Sequence, residues 1–281
     1  MPELPEVEIT ARRIGAATAG ATVESALAPG LNALKTYDPP LSTLEGRRIE
    51  GLRRRGKLFL LDFEDGLTLL IHLMSAGRLQ VFDKRASLRD RTSRLLLRLS
   101  DGSELRLREF GTKQRAWAKL LRAPGVQTDE TLSALGPEAW PDPPPFAPLL
   151  DAPRPLHGLL RDQHVIAGIG RSWVDEILHA AKLSPFKRGA DLDGEEAERL
   201  RSATVFQLGR AIAHYEEVIG LPIPDKLPMP LAVHRHQGEP CPRCGERLEA
   251  VFYEDYVMSY CPTCQTDGKL LKDRRLSRLL R

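Results

Sequence analysis

At 281 residues, 42% of them hydrophobic, the chain can bury a sizeable core, and its length suggests two domains with a small appendage. No basic-then-apolar leader opens it, and no apolar run nears the ~20 residues that span a bilayer, so a cytoplasmic protein with no membrane partner is expected. The formal charge of +3 hides an asymmetry: residues 45–122 carry 19 Lys and Arg against 10 Asp and Glu, and residues 265–281 carry six against two. Basic segments set against an acidic remainder suggest a polyanion-binding face, or equally solvated strand faces.

After the opening Pro2-Glu3-Leu4-Pro5-Glu6, the Ala-, Ile- and Arg-rich stretch from Val7 to Ala19 predicts a helix stopped near Gly20. Strand texture follows from Arg47 to Phe110. Its clearest β-prone runs are Leu58 to Phe63, Leu67 to Leu73, Leu79 to Phe82, Arg94 to Leu99 and Glu104 to Phe110. Asp65-Gly66, Ala76-Gly77 and Asp101-Gly102 between them are hairpin signals, and no helix intervenes for a parallel crossover. The first domain, 1–135, is therefore expected to be an antiparallel β-sandwich or barrel with a leading helix. Residues 136–155 hold eight prolines and predict a linker. The next domain, 156–230, is helical in texture from Leu156 to Val218, clearest at Val174 to Leu178 and Ala197 to Ile219, and ends in a proline-rich break at Leu221 to Pro230. A cysteine module over 231–268 and a basic tail over 269–281 complete an α+β multidomain chain.

Cys241, Cys244, Cys261 and Cys264 follow the spacing Cys-x2-Cys-x16-Cys-x2-Cys. Two chelating pairs around a hairpin-sized insert predict one Zn2+, and four thiolates leave no open position, so the metal is expected to be structural. Nearby His234 and His236 are read as polar surface residues. At the other end, Pro2 is compatible with removal of Met1, which frees a secondary amine. Such an amine can attack a sugar C1′, with the Glu3 carboxyl beside it as general acid or base and Glu6 one helical turn on. The same residues also suit ordinary helix-start chemistry.

Pro2-Glu3-Leu4-Pro5-Glu6-Val7-Glu8 is similar to the opening of the formamidopyrimidine-DNA glycosylase and endonuclease VIII family, and the resemblance recurs along the chain. Arg54-Arg55-Gly56-Lys57 resembles its lysine-bearing strand and Arg108-Glu109-Phe110-Gly111 its DNA-inserting loop. Leu135-Gly136-Pro137-Glu138 resembles its domain junction. Asp162-Gln163, Ala167-Gly168-Ile169-Gly170 and Asp175-Glu176 resemble its helix-two-turn-helix, and Gly238-Glu239-Pro240 leads into the finger as in family members. The resemblance implies Pro2 as Schiff-base nucleophile, Glu3 as proton shuttle with Glu6 in support, and Lys57 on a phosphate. It further implies that Gly168 and Gly170 bring backbone to a phosphate, and that Phe110 and Arg108 fill the gap left by a flipped nucleotide.

Several positions depart from the family. Arg171 stands where the family has Asn, Tyr256 where the finger hairpin has Arg, and His157 where the helical domain has Lys. Ser75, beside Met74, takes the place of an intercalating methionine. The stretch from Val218 to Ala232 is proline-rich and lacks a glycine-rich capping loop, while Val233-His234-Arg235 is closer to the endonuclease VIII branch. The expectation is a monomeric, bifunctional DNA glycosylase and AP lyase acting on damaged double-stranded DNA, leaning to pyrimidine lesions, with Arg171 restoring charge lost elsewhere. Alternatives are a catalytically weak DNA-damage-binding protein of the same fold and a zinc-finger nucleic-acid binder with no lesion role.

Overall fold

The computed structural model describes residues 2–30, 32–110 and 113–272; Met1, Gly111 and most of the expected basic tail lie outside them. The chain forms two compact units, Met1–Ala134 with Ile212–Pro228, and Leu135–Ala211 with Met229–Arg281.

Helix α1 (Leu4–Thr18) opens the first unit. Pro5 in its first turn, where an amide proton has no helical partner, and the acidic Glu6 favour a start three residues before the expected one. Gly20, at φ 80°, turns the chain out of the helix. Eight strands follow: β1 (Val23–Leu27), β2 (Ile49–Arg55), β3 (Leu58–Phe63), β4 (Leu67–His72), β5 (Gly77–Phe82), β6 (Ser93–Leu99), β7 (Glu104–Glu109) and β8 (Trp117–Arg122). They form two four-stranded antiparallel sheets, ordered β1-β6-β7-β5 and β2-β3-β4-β8. Short helices α2 (Ala123–Thr128) and α3 (Glu130–Ser133) come after them.

Asp65 and Gly66, both at positive φ, make the tight turn joining β3 to β4, and Asp101-Gly102 lies between the paired β6 and β7. Ala76-Gly77 is not a hairpin. The chain leaves one sheet at the end of β4 and enters the other at β5, passing through Met74 at φ 51°. A Cβ on Gly77 would lie 2.4 Å from the Leu73 carbonyl oxygen, so only glycine fits this crossing. Between the sheets, Phe59, Leu61, Phe63, Leu69, Ile71, Leu97, Leu105 and Leu107 pack with Val7 and Ile14 of α1. Each such burial contributes roughly 1.5–3 kcal/mol. Tyr215, Ile219 and Ile223 join the same cluster.

The second unit holds α4 (Phe146–Leu149), α5 (Leu156–Arg161), α6 (Arg171–Ala181), most of α7 (Gly194–Val218), the hairpin β9 (Glu249–Phe252) and β10 (Val257–Tyr260), and α8 (Pro262–Thr266). β9 and β10 pair in antiparallel register, Val257 opposite Phe252 and Tyr260 opposite Glu249. Among the described residues no helix is long and apolar enough to cross a membrane.

Candidate active site and metal centre

Two buried carboxylates sit at the start of α1, Glu3 at 2% and Glu6 at 3% exposure. The Glu3 amide donates to Glu6 Oε2 at 2.9 Å, and the Tyr215 hydroxyl donates to Glu6 Oε1 at 2.7 Å. That amide belongs to the peptide linking Pro2 to Glu3, so Glu6 sets the plane in which the half-buried Pro2 is held. Burial, reinforced by the negative charge of Glu6, pushes the Tyr215 phenol well above its ordinary value, which keeps it a donor. Tyr215 escaped the sequence reading. Its one sequence signal is the stripe Ile212, Tyr215 and Ile219, running along the last turns of α7 to the residue just past its end, all buried.

Lys57 follows Gly56 in the turn between β2 and β3 and is 7% exposed, not a solvated strand lysine. Arg54 fastens that turn to α1: its Nε donates to Glu8 Oε2 at 2.8 Å and its Nη1 to the Gly56 carbonyl at 3.0 Å. Burial alone would raise the Glu8 carboxyl, but Arg54 and Arg12 hold it below the usual carboxylate range. His72, paired in register with Leu58, is a second residue that sequence reasoning missed. Burial and the neighbouring Lys57 charge push it down to about 4, so it is neutral above that pH.

At the end of β7 the Arg108 guanidinium lies 4.7 Å from the Phe110 ring centroid and donates to Gln80 Oε1 at 3.1 Å. Asp225 Oδ1 stands 3.5 Å from Arg108 Nη1. Gln80 Nε2 reaches back to the Ile223 carbonyl at 2.6 Å and to Asp225 Oδ1 at 3.1 Å, pinning the proline-rich segment to β5. Ser75 is exposed in the crossing between sheets and joins none of these clusters.

In the second unit the turn before α6 is clamped by Gln163, whose Oε1 accepts from the Gly168 amide at 2.9 Å and whose Nε2 donates to the Arg161 and Ile169 carbonyls at 2.8 Å. Gly168 has φ 112°, a conformation that favours glycine, whereas Gly170 is extended at φ −129°. Arg171 opens α6, and its charge is already engaged: Nη1 donates to the Asp255 carbonyl at 2.6 Å and Nη2 to Asp255 Oδ2 at 2.5 Å. Tyr256 stacks on Tyr253, centroids 4.4 Å apart, and lies 5.7 Å from the His157 ring. His234 is not a surface residue. It is buried, with Nδ1 2.7 Å from Asp175 Oδ2, because the Asp175 carboxylate needs partners where no water reaches. His236 is partnered with Glu239 on the surface.

The ligand atoms of Cys241, Cys244, Cys261 and Cys264 all lie within 4.8 Å of one another. Sulfur pairs stand 3.9 Å apart for Cys241 and Cys264, 3.5 Å for Cys244 and Cys261, and 3.4 Å for Cys244 and Cys264. Tetrahedral Zn–S bonds of about 2.3 Å place sulfurs about 3.8 Å apart, so the set can hold one metal ion. Backbone amides of Arg243 and Cys264 point at Cys241 and Cys261 sulfurs, both at 3.4 Å. His179, which the sequence reading did not single out, adds Nε2 at 3.2 Å from Cys241 Sγ.

Known proteins are similar to this chain in sequence and fold. The formamidopyrimidine-DNA glycosylase N-terminal domain matches residues 1–113, and the H2TH domain of the same family matches residues 146–221. A formamidopyrimidine-DNA glycosylase of Geobacillus kaustophilus is 33% identical over 94% of this chain and 100% of its own. The chain belongs to the formamidopyrimidine-DNA glycosylase family. The crystal structure of MutM (Fpg) from Thermus thermophilus superposes with a TM-score of 0.79 at 32% identity, covering 95% of this chain and 100% of that one. A complex of Lactococcus lactis Fpg with DNA containing N7-benzyl-Fapy-dG gives 0.82 at 25% identity, over 94% and 100%. Two antiparallel sheets, a helical H2TH region and a cysteine cluster beside a two-stranded hairpin are thus the family's fold.

Proposed function

We propose that this member of the family is a base-excision-repair DNA glycosylase with AP lyase activity, using the Pro2 amine on damaged double-stranded DNA. The observation that carries the reading is the buried Glu3–Glu6–Tyr215 arrangement, which orders the peptide following Pro2 in the first unit. Once Met1 is removed, the Pro2 nitrogen lone pair forms a bond to C1′ as the glycosidic bond breaks, and its electron pair and a proton leave with the base. The proton that the base carries away is balanced by the one lost from the Pro2 nitrogen, and opening of the sugar at O4′, which takes a proton from Glu3, leaves a cationic imine. That cation acidifies the C2′ hydrogen; Glu3 takes this proton, a double bond forms between C1′ and C2′ and shifts as the C3′ phosphate departs. Lys57, with neutral His72 beside it, supplies the charge for a neighbouring phosphate. Phe110 and Arg108 fill the stack on base extrusion.

Cys241, Cys244, Cys261 and Cys264 would hold one zinc ion whose role is to fold the hairpin, since so small a module buries too little apolar surface alone. The relatives' activity on formamidopyrimidine and the pinned proline-rich segment of this chain leave an oxidised or otherwise modified base as the substrate class. Borohydride reduction in the presence of duplex DNA with one abasic site tests the reading. It should trap a covalent adduct that Pro2→Gly or a retained Met1 abolishes; mature protein that never crosslinks would overturn it.

A further inference from the structure

Two guanidinium groups share the Tyr256 ring, and they differ in what remains open to a ligand. Arg171, its Cζ 5.4 Å from the ring centroid, spends Nη1 and Nη2 on Asp255. Arg161, the last residue of α5, stands closer at 4.3 Å. Among the described residues no hydrogen bond or ion pair engages its side chain. Stacking uses the face of a guanidinium and none of its in-plane N–H donors, so a ring-supported arginine keeps a preoriented fork of donors at its edge.

We infer that Arg161, its Cζ held over the Tyr256 ring, is a DNA phosphodiester-binding residue of this protein, and that Tyr256 is its positioning residue. Three observations combine. The Arg161 carbonyl accepts from Gln163 Nε2 at 2.8 Å, so its backbone is tied to the clamped turn that carries Gly168. The adjacent carboxylate, Asp162, is engaged elsewhere, by Arg154 at 3.0 Å and by the His164 amide at 3.1 Å, and does not neutralise it. Tyr256 is itself braced by Tyr253, so the platform is set before any ligand arrives. A fork whose rotamers are restricted in advance loses less entropy on gripping a phosphate than a free lysine does. The charge expected from Arg171 is therefore supplied one helix earlier.

This rests on the DNA-repair reading above, and the test separates the two. The full-length, zinc-loaded protein is titrated into fluorescent duplex containing a tetrahydrofuran abasic analogue, over a series of KCl concentrations. Arg161→Ala should weaken binding about tenfold and reduce the slope of log K against log salt by roughly 0.9, as expected when one fewer phosphate is neutralised. Tyr256→Leu should approach the same loss, Tyr256→Phe should restore most of it because the ring remains, and Arg161→Lys should fall between. Circular dichroism and zinc content establish that each variant is folded. Wild-type protein that does not bind the duplex would overturn the repair reading and this inference with it. Binding by wild type with affinity and salt slope unchanged in Arg161→Ala overturns the inference alone.

Discussion

Tyr215→Phe removes one oxygen and keeps the ring, so it isolates the hydrogen bond to Glu6 from the packing of α7. The bond is 2.7 Å long, and both partners are buried. A hydrogen bond to a charged group contributes about 1.5–3 kcal/mol, and a buried acceptor left short of a donor costs its full desolvation. Glu6 would keep the Glu3 amide at 2.9 Å as its other anchor, so the carboxylate is loosened rather than expelled. If that loss falls on the geometry in which Pro2 attacks, roughly 1.4 kcal/mol per factor of ten predicts a decrease of about tenfold to a hundredfold. The assay is single-turnover borohydride trapping on abasic duplex at saturating protein, with Glu6→Gln and the double variant in parallel. Tyr215 acting through Glu6 requires the double variant to be no worse than Glu6→Gln alone. Trapping within twofold of wild type, or fully additive losses, would refute the chain from Tyr215 through Glu6 to residue 2.

Further outcomes follow from other clusters. Metal analysis should find one zinc per chain, and Cys244→Ser should lose zinc and DNA binding while the first unit stays folded; natively purified protein without zinc would count against this. His72 is held at about 4 against an ordinary value of 6.5. Between those values the unfolded chain binds the extra proton, so the stability of the first unit should fall as pH drops from 6.5 toward 4, by at most about 3 kcal/mol. His72→Phe should flatten that limb of the urea midpoint plotted against pH, and an unchanged slope would refute it. Asp225→Ala, which frees Arg108 on one side, should alter the relative cleavage rates of one lesion placed opposite each of the four bases, and Arg108→Ala should do the same. Equal scaling of all four rates by Asp225→Ala would show that Asp225 does not position Arg108.

What was legible in the sequence was local. Short β-prone runs and the Asp-Gly turns located most strands, because such a turn is written in two adjacent residues. The five residues of β1 and the strand β8 carried no such punctuation and went unread. Ala76-Gly77 misled because a glycine demanded by the close approach to the Leu73 carbonyl has the same letter as one demanded by a hairpin. At the site, the cysteine spacing and the Pro2-to-Glu8 motif could be read since each is contiguous or paired. Tyr215 could not be, for its partner Glu6 is 209 residues away. The same limit explains Arg171. A positive charge at the start of α6 is visible in the sequence, but whether it is available depends on Asp255, 84 residues on, which takes two of its donors. The motif draws attention to Arg171, whereas among the described residues no hydrogen bond or ion pair engages the side chain of Arg161, outside the motif. Freeing Arg171 by Asp255→Ala should then strengthen duplex binding and steepen its salt dependence, since a fork released from a carboxylate can neutralise a phosphate. No gain in either would mean that Arg171 cannot reach the backbone even when released, and that its role is to hold the hairpin turn against α6.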